Sequence, residues 1–540
     1  MATAAIACMN EGIIIRQTSA SSNLYVQMNP PCSIHSLPVE VLEAIFIYCA
    51  HEYHETTVGP AFTVPSWVNV SFVSRRWRTV ALNYPTLWSY LFITSPRRTE
   101  ELLARSKQAP LKLLVNTQFL CTNWVLRSVE QILDHVERIQ ELVLYFSESF
   151  QSHHILSRLS SRAPHLQNLE LLVPPTPLSS HLAADRSNPH MLEWFSLPPF
   201  GGDTPSLRTL VLSGCPVRWY LFKMSGLKTL ILREINPDKF RQNTVEFLAT
   251  LSCMQDLTHP HLENALASAA DCLSSATFHT FQKFDLPHLS RLFIAAPLST
   301  IVALLSRVSV PLKAEINLRC DPGEDDSEFS LDDRATLCSL LAQRFSTAQN
   351  QAPYTPTIRS LTIASYYGWE RVGIAFTTSE CKPRFVGKML KFVSDGTIRL
   401  QINFNFKFRD SMTRSDGDSE RITSNICCSL PLSNIERAYF CEPPLSQTFW
   451  TDILSHLQGL RYLTLSEGHM PPISSILAVA PDDRAEEGGR RSQIFVPALE
   501  ELELCGIQFS TAIEKDKEEQ SLHDALSTRE NAPIRLTFTH

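Results

Sequence analysis

The chain has 540 residues, 44% of them hydrophobic, which is enough for a large core and excludes wholesale disorder. Lys and Arg total 48 against 55 Asp and Glu, a net charge of -7, so a general nucleic-acid or anionic-membrane binder is excluded because it would need a basic footprint. Length sets a prior of about three or four folding units, unless one repetitive solenoid fills much of the chain. Leu occurs 69 times and Gly only 17, which points to a helical or repetitive chain and away from a Gly-punctuated phosphate-loop enzyme. The 14 cysteines are scattered and form no CxxC pair. They read as buried thiols in a reducing compartment, not as a zinc ribbon or a redox motif.

Residues 1–33 form a polar lead-in, expected to be disordered, that ends near Pro30-Pro31. Its start lacks a basic n-region, and Glu11 interrupts its apolar stretch, so it is a poor signal peptide. The longest apolar run, Leu292 to Ser306, has 15 residues and contains Pro297, too short to span a bilayer. A soluble protein of the cytoplasm and/or nucleus is expected, with no membrane partner.

Next comes a helix over residues 38–53. Pro38 suits its first position, where a missing N–H costs nothing, and Glu40 in the first turn favours the helix dipole. Between Val39 and Cys49 only Glu40 and Glu43 are charged, so the helix is apolar nearly all round and must be covered on two sides. A second helix over residues 65–82 carries Trp67, Val70, Val73, Trp77 and Val80 on one stripe. Ser89 to Ile93 reads as a strand. A unit of roughly 60 residues draws only ~3–5 kcal/mol from its own core. Its surplus apolar surface therefore implies a neighbour, either another protein or the rest of the chain.

The string Leu37-Pro38-Val39-Glu40-Val41-Leu42, with Ile45 and Phe46 and then Val73-Ser74-Arg75-Arg76-Trp77-Arg78, resembles an F-box. The long insert near residues 50–66, Tyr84 to Trp88, Leu102 to Ser106 and Ala109 to Leu111 resemble the F-box-like proteins multiplied in mushroom-forming fungi. The resemblance covers residues 34–115 and implies docking on the Skp adaptor of a cullin-based ubiquitin ligase. The adaptor-binding residues it implies are Leu37, Pro38, Val41, Leu42, Ile45, Phe46, Val73 and Trp77. The alternative is that this helix pair only caps the domain that follows.

Beyond residue 93 the frame L-x-x-L-x-L recurs nine times, beginning at Ile139, Leu166, Leu207, Leu227, Leu289, Ile358, Ile435, Leu460 and Leu499. Its last two apolar positions alternate as in a short strand with one buried face. Helix-like stretches lie between copies at residues 124–138, 153–162, 244–254, 299–308, 331–345 and 450–457, and Ser330 with Asp333 fits an N-cap box. Strand and helix alternating in this way signal a leucine-rich-repeat solenoid. Steps of 27, 41, 20 and 62 residues between second leucines make it irregular, and the Asn/Cys ladder position is matched clearly only at Cys215. An ordinary α/β domain with leucine-rich strands is the alternative. Polar insertions near residues 321–333, 410–421 and 482–492 read as solvated loops, and Ile534 to Thr539 as a closing strand.

The expected fold class is therefore α/β, with a small helical F-box-like unit over residues 34–93 and a degenerate leucine-rich-repeat domain over residues 94–540. In a solenoid, the residues between the leucines face the concave side that commonly binds partners. The candidate target-binding residues are Glu170, Val211, Ile231, Phe293, Arg291, Thr362, Tyr439, Tyr462, Thr464 and Glu503, with Asn168, Thr209, Thr229, Ser360, Arg437 and Glu501 beside them. Their mixed chemistry suits a protein target better than a polyanion.

The phosphate-loop and nucleophile-elbow motifs are missing, and His51-Glu52-Tyr53-His54 places its second histidine one residue early for a zinc protease. The pairs His153-His154 and His259-Pro260-His261 lack a metal-spaced partner and read as surface or helix-end histidines. No cofactor, metal or catalytic residue is expected. The two function classes are a non-catalytic substrate receptor of a Skp–cullin–F-box ligase and an F-box-like scaffold that no longer engages it.

Overall fold

The computed structural model describes residues 37–56, 64–116, 123–145, 155, 158–173, 199–202, 204–215, 220, 225–235, 244–266, 280–321, 329–350, 358–366, 371–379, 381–386, 389–394, 397–405, 416–471, 473–477, 496–509, 511–527 and 534–539. The lead-in, the loop near 482–492 and residues 153, 154, 156 and 157 of the expected helix at 153–162 lie outside them, as do 322–328 and 410–415 of the other two polar loops. The chain divides into two compact units. The first comprises Met1–His181, Pro189–Thr209 and Leu221–Lys223, and the second comprises the remainder.

The first unit opens with α1 (Val39–Thr56). The expected second helix is broken: a 3-10 turn at Ser66–Asn69 and the short α2 (Val70–Val73) precede α3 (Arg75–Leu82). The break is Ser74, extended at φ -157°, whose hydroxyl accepts from the Trp77 N–H at 3.1 Å and so caps α3. The new cap resets the helical phase, which is why Trp67, Trp77 and Val80 are buried while Val73 is exposed. The Trp88 indole then donates to the Ala81 carbonyl at 2.7 Å, closing the turn that leads into β1 (Tyr90–Leu91). α4 (Pro96–Ser106), β2 (Leu111–Asn116), α5 (Asn123–Leu133), β3 (Ile139–Tyr145) and β4 (Asn168–Leu172) follow, with β1 to β4 parallel in that order.

The second unit repeats this alternation. β5 (Thr209–Ser213), β6 (Thr229–Arg233), α6 (Thr244–Ser252) and β7 (His259–Glu263) lead to a two-residue strand, β8 (Phe284–Asp285). Then come β9 (Arg291–Pro297), α7 (Leu298–Arg307), β10 (Val308–Ser309, paired with β8), β11 (Glu315–Asp321) and α8 (Leu331–Asn350). Four successive strands follow, β12 (Ser360–Tyr366), β13 (Arg371–Thr377), β14 (Cys381–Val386) and β15 (Met389–Ser394), and then β16 (Ile398–Asn405) and α9 (Asp416–Cys428). The unit closes with β17 (Arg437–Cys441), α10 (Gln447–His456), β18 (Tyr462–Ser466), α11 (Ile473–Leu477), β19 (Glu501–Cys505), α12 (Ala512–Ser527) and β20 (Arg535–Thr539). Its sheet runs β5-β6-β7-β9-β11-β16-β13-β12-β17-β18-β19-β20, parallel except for β13, which is antiparallel to β12 and β16. The chain is thus α/β, an N-terminal helical region followed by largely parallel, repeat-like strands with alternating helices.

All nine leucine frames lie on strands, and the repeat is carried by the backbone as well as the side chains. The first frame residue donates its N–H three residues back, as in Leu289 to Leu286, Ile435 to Leu432, Leu460 to Leu457 and Leu499 to Val496. The next residue donates to the preceding repeat, as in Glu436 to Arg359, Arg461 to Glu436 and Glu500 to Arg461. After the strand, Gly214, Glu234, Asn264, Glu442, Glu467 and Gly506 all take positive φ, and each N–H bonds the adjacent repeat. The Asn/Cys ladder position is buried at Cys215, Ile235 and Ala265 and half-buried at Pro297, Gly468 and Ile507, so it is kept neither in residue type nor in full burial.

Gly459 precedes the β18 frame, and a Cβ there would collide with the Ser433 carbonyl oxygen of the neighbouring repeat. Gly459→Ala is therefore expected to cost ~1–3 kcal/mol, read as a lower denaturation midpoint in urea, because backbone and not a flexible side chain must give way.

Candidate functional site

Helix α1 has two distinct apolar faces. Leu42, Phe46 and Ala50, spaced four apart, are fully buried, and Phe46 packs its ring 5.2 Å from that of Trp77. Val41, Ala44, Ile45 and Tyr48, spaced three, one and three, form the opposite stripe. Val41, Ala44 and Tyr48 are exposed, Tyr48 by 54%, and Ile45 is half-buried. Arg76 donates to the Leu37 carbonyl and ties α3 to the start of α1.

This geometry corrects three of the eight adaptor-facing expectations. Leu42, Phe46 and Trp77 belong to the unit's own core and offer nothing to a partner. Pro38, Val41 and Val73 are exposed, and Leu37 and Ile45 are half-buried. Two exposed aromatics were missed: Tyr48, and Phe72, which is 68% exposed with the Arg78 guanidinium 5.9 Å from its ring centroid. A helix apolar all round gives no phase from sequence, so the inner stripe could be found only from what packs on it.

The second candidate surface is the strand face bearing the residues between the leucines. In the first unit Glu170 is half-buried on it. In the second unit the β14–β15 hairpin lies over part of this face, enclosing Ala364, Ala375, Cys381, Phe392 and Cys441 in a small separate core. Thr362 is consequently fully buried, its hydroxyl donating to the Cys381 carbonyl at 2.9 Å. Val211 is also buried. The expectation that these two face outward is corrected.

On the β6–β11 side of the second unit's face, Ile231, His261 and Phe293 share one cross-strand row, and Asn317 continues it. The His261 and Phe293 rings stack at 4.0 Å and 13°. Glu263, one row along, takes Arg319 Nη1 at 2.8 Å and His261 Nε2 at 3.4 Å. The hydrogen bond from His261 and then the charge of Arg319 outweigh the cost of burial and hold the Glu263 carboxyl down at about 2. Arg291 lies exposed at the edge, paired with Glu315 at 3.0 Å. His261 escaped the sequence reading because Pro260 replaces a frame leucine on β7, and Arg319 because it lies beyond Leu318, the last frame position of β11.

On the β17–β20 side, register aligns Arg437, Tyr462, Glu501 and Arg535 in one row and Tyr439, Thr464, Glu503 and Thr537 in the next. Four expected residues, Tyr439, Tyr462, Thr464 and Glu503, meet here around a cavity of about 150 Å³ whose lining also includes Ser360, Arg437 and Glu501. The Arg437 guanidinium lies 4.2 Å over the Tyr462 ring, and the Thr464 hydroxyl donates to Glu503 at 3.2 Å. Burial pushes the nearby Cys441 thiol up to about 12 and Cys381 to about 11, so neither is a thiolate nucleophile at neutral pH.

The sequence model of the F-box-like family matches residues 34–94. That span contains α1, α3 and β1, hence the exposed Val41–Tyr48 stripe. Domains of this family in general bind a Skp-type adaptor, and the proteins that carry them are usually non-catalytic adaptors. No curated protein sequence matches the chain. No helix among the described residues is long and apolar enough to cross a membrane, and no group of three or more His, Cys, Asp or Glu among them could hold a metal ion. His153-His154 lies outside the described residues, whereas His259 and His261 sit on β7.

The depressed Glu263 carboxyl has a signed consequence. Its contribution to stability is present above the ordinary value of 4.5 and is lost as pH falls towards about 2. Glu263→Gln should thus cost about 1–2 kcal/mol at pH 7 after allowance for solvent screening. The gap between wild type and variant should close between pH 4.5 and about 2 in urea titrations.

Proposed function

We propose that this chain is the substrate-recognition subunit of a Skp–cullin–F-box ubiquitin ligase. The observation that supports it most is the exposed apolar stripe Val41, Ala44, Ile45 and Tyr48 inside the family match. A helix whose opposite face is already buried in the core gains nothing from this second stripe unless another polypeptide covers it. The reading divides the chain into an adaptor-binding domain at residues 34–93 and a target-binding repeat domain at residues 94–540, acting in the cytoplasm and/or nucleus. The likeness of Leu102–Ser106 and Ala109–Leu111 to mushroom-fungal F-box-like proteins supports placing it in that group.

The adaptor docks on Leu37, Pro38, Val41, Ala44, Ile45 and Tyr48, with Val73 and Phe72 as further apolar contacts, and the adaptor in turn binds a cullin. A target protein rests on the open strand face of the second unit, where Ile231, Phe293, Arg291, Tyr439, Tyr462, Thr464 and Glu503 are accessible, and Glu170 is the accessible candidate on the strand face of the first unit. The chain does no covalent chemistry in this scheme. It raises the effective concentration of a target lysine near the charged conjugating enzyme, turning a bimolecular encounter into a local one.

Capture by recombinant Skp adaptor tests the reading. Val41→Glu combined with Tyr48→Glu should weaken capture by at least about tenfold while leaving the thermal midpoint unchanged, since both residues are exposed. Leu42→Ala should do the reverse in origin, costing ~2–5 kcal/mol of stability by emptying the core. Equal capture of wild type and the double variant, or capture of neither, favours a scaffold that does not engage the ligase.

A further inference from the structure

We propose that the cavity between β17, β18 and β19 receives one basic side chain, lysine or arginine, from an extended segment of the target protein. The inference rests on the receptor reading only for the origin of that segment. A volume of about 150 Å³ is well under the roughly 300 Å³ at which cofactor and drug-sized pockets begin, and it suits an occupant the size of one side chain.

The charges around the cavity select its sign. Glu501 has Arg535 Nε at 3.8 Å, and Arg437 is stacked on Tyr462. Glu503 is different: its carboxylate takes the Thr464 hydroxyl at 3.2 Å and neighbours the Cys505 thiol, which also feels the Lys382 charge from β14, but no cation among the described residues forms an ion pair with Glu503 itself. Glu467 beyond the strand ends adds negative potential at Tyr439. The half-buried Glu503 is therefore the carboxylate of this lining held by no direct ion pair, next to two tyrosine rings that can cover an aliphatic stem or face a cation, although Arg437 across the cavity keeps its charge over Tyr462. An acidic side chain would meet Glu501 and Glu503 together. An apolar one would desolvate Glu503 without compensation.

The test uses the full chain labelled with 3-fluorotyrosine, its Tyr439 and Tyr462 fluorine resonances assigned through Tyr439→Phe and Tyr462→Phe. Capped pentapeptides Ala-Ala-Xaa-Ala-Ala, with Xaa as Arg, Lys, Gln or Glu, are titrated to about 10 mM, because one ion pair and one ring contact give millimolar affinity. The Arg or Lys peptide, or both, should shift both resonances saturably, the better of the two naming the side chain, while Gln and Glu peptides leave them unmoved. Glu503→Gln should weaken the shift by at least about tenfold, whereas Glu500→Gln, whose carboxylate already pairs with Arg461 at 2.7 Å, should not. No shift with either basic peptide, an equal shift with Gln or Glu, or an unchanged response in Glu503→Gln overturns the proposal. Adaptor capture by Glu503→Gln is measured alongside. Its persistence without peptide binding sinks the pocket alone, and peptide binding by a chain that captures no adaptor sinks the receptor reading alone.

Discussion

Parallel pairing is the constraint from which the architecture follows. Each strand must be entered from the same end as its neighbour, so the chain has to travel back between strands, and the return segments need cover for their own apolar residues. Here α7 packs against β9 and β11, and α10 brings Trp450 to 4.7 Å and Phe449 to 6.4 Å from Phe440 of β17. The leucine side of the strands is filled by these returns, which leaves the other side for whatever the protein meets. The alternation of one residue in and one out along each strand then fixes which side chains are available.

The departures from this rule sit where function would use them. β13 runs against its neighbours, and the hairpin that follows it folds across the open side, so β12, β13 and β17 are covered on both faces there. The hairpin needs small or neutral residues beneath it, and the chain supplies Ala364, Ala375 and Cys441 at those positions. Where the hairpin ends, larger polar and aromatic residues take over at Tyr439, Tyr462 and Glu503.

Much of this was readable from residues alone, because a frame of three apolar positions is short-range information. Every copy of it formed a strand, and the helices at Leu298–Arg307, Leu331–Asn350 and Gln447–His456 fall where sequence expects them. The Ser330 cap is present, with the Asp333 N–H on its hydroxyl at 3.5 Å. Strand β7 was hidden by a single replacement, Pro260, and β11 by a frame one residue short in which Ala314 takes the first leucine's place, and both still pair in register. The hairpin was illegible for a different reason: its partners are fixed by long-range packing, which no local pattern encodes. The two faces of α1 were ambiguous in the same way, since an all-apolar helix announces burial without saying which side is buried.

The hairpin across the strand face has a consequence for anything that binds there. It separates the stacked His261–Phe293 pair with its Arg319–Glu263 link from the tyrosine-lined cavity near β18. A straight polypeptide laid over both would have to climb over the barrier formed by β14 and β15. The open strand face of the second unit is therefore divided by the hairpin into two separate stretches. On the proposed receptor reading, each stretch suits one short epitope.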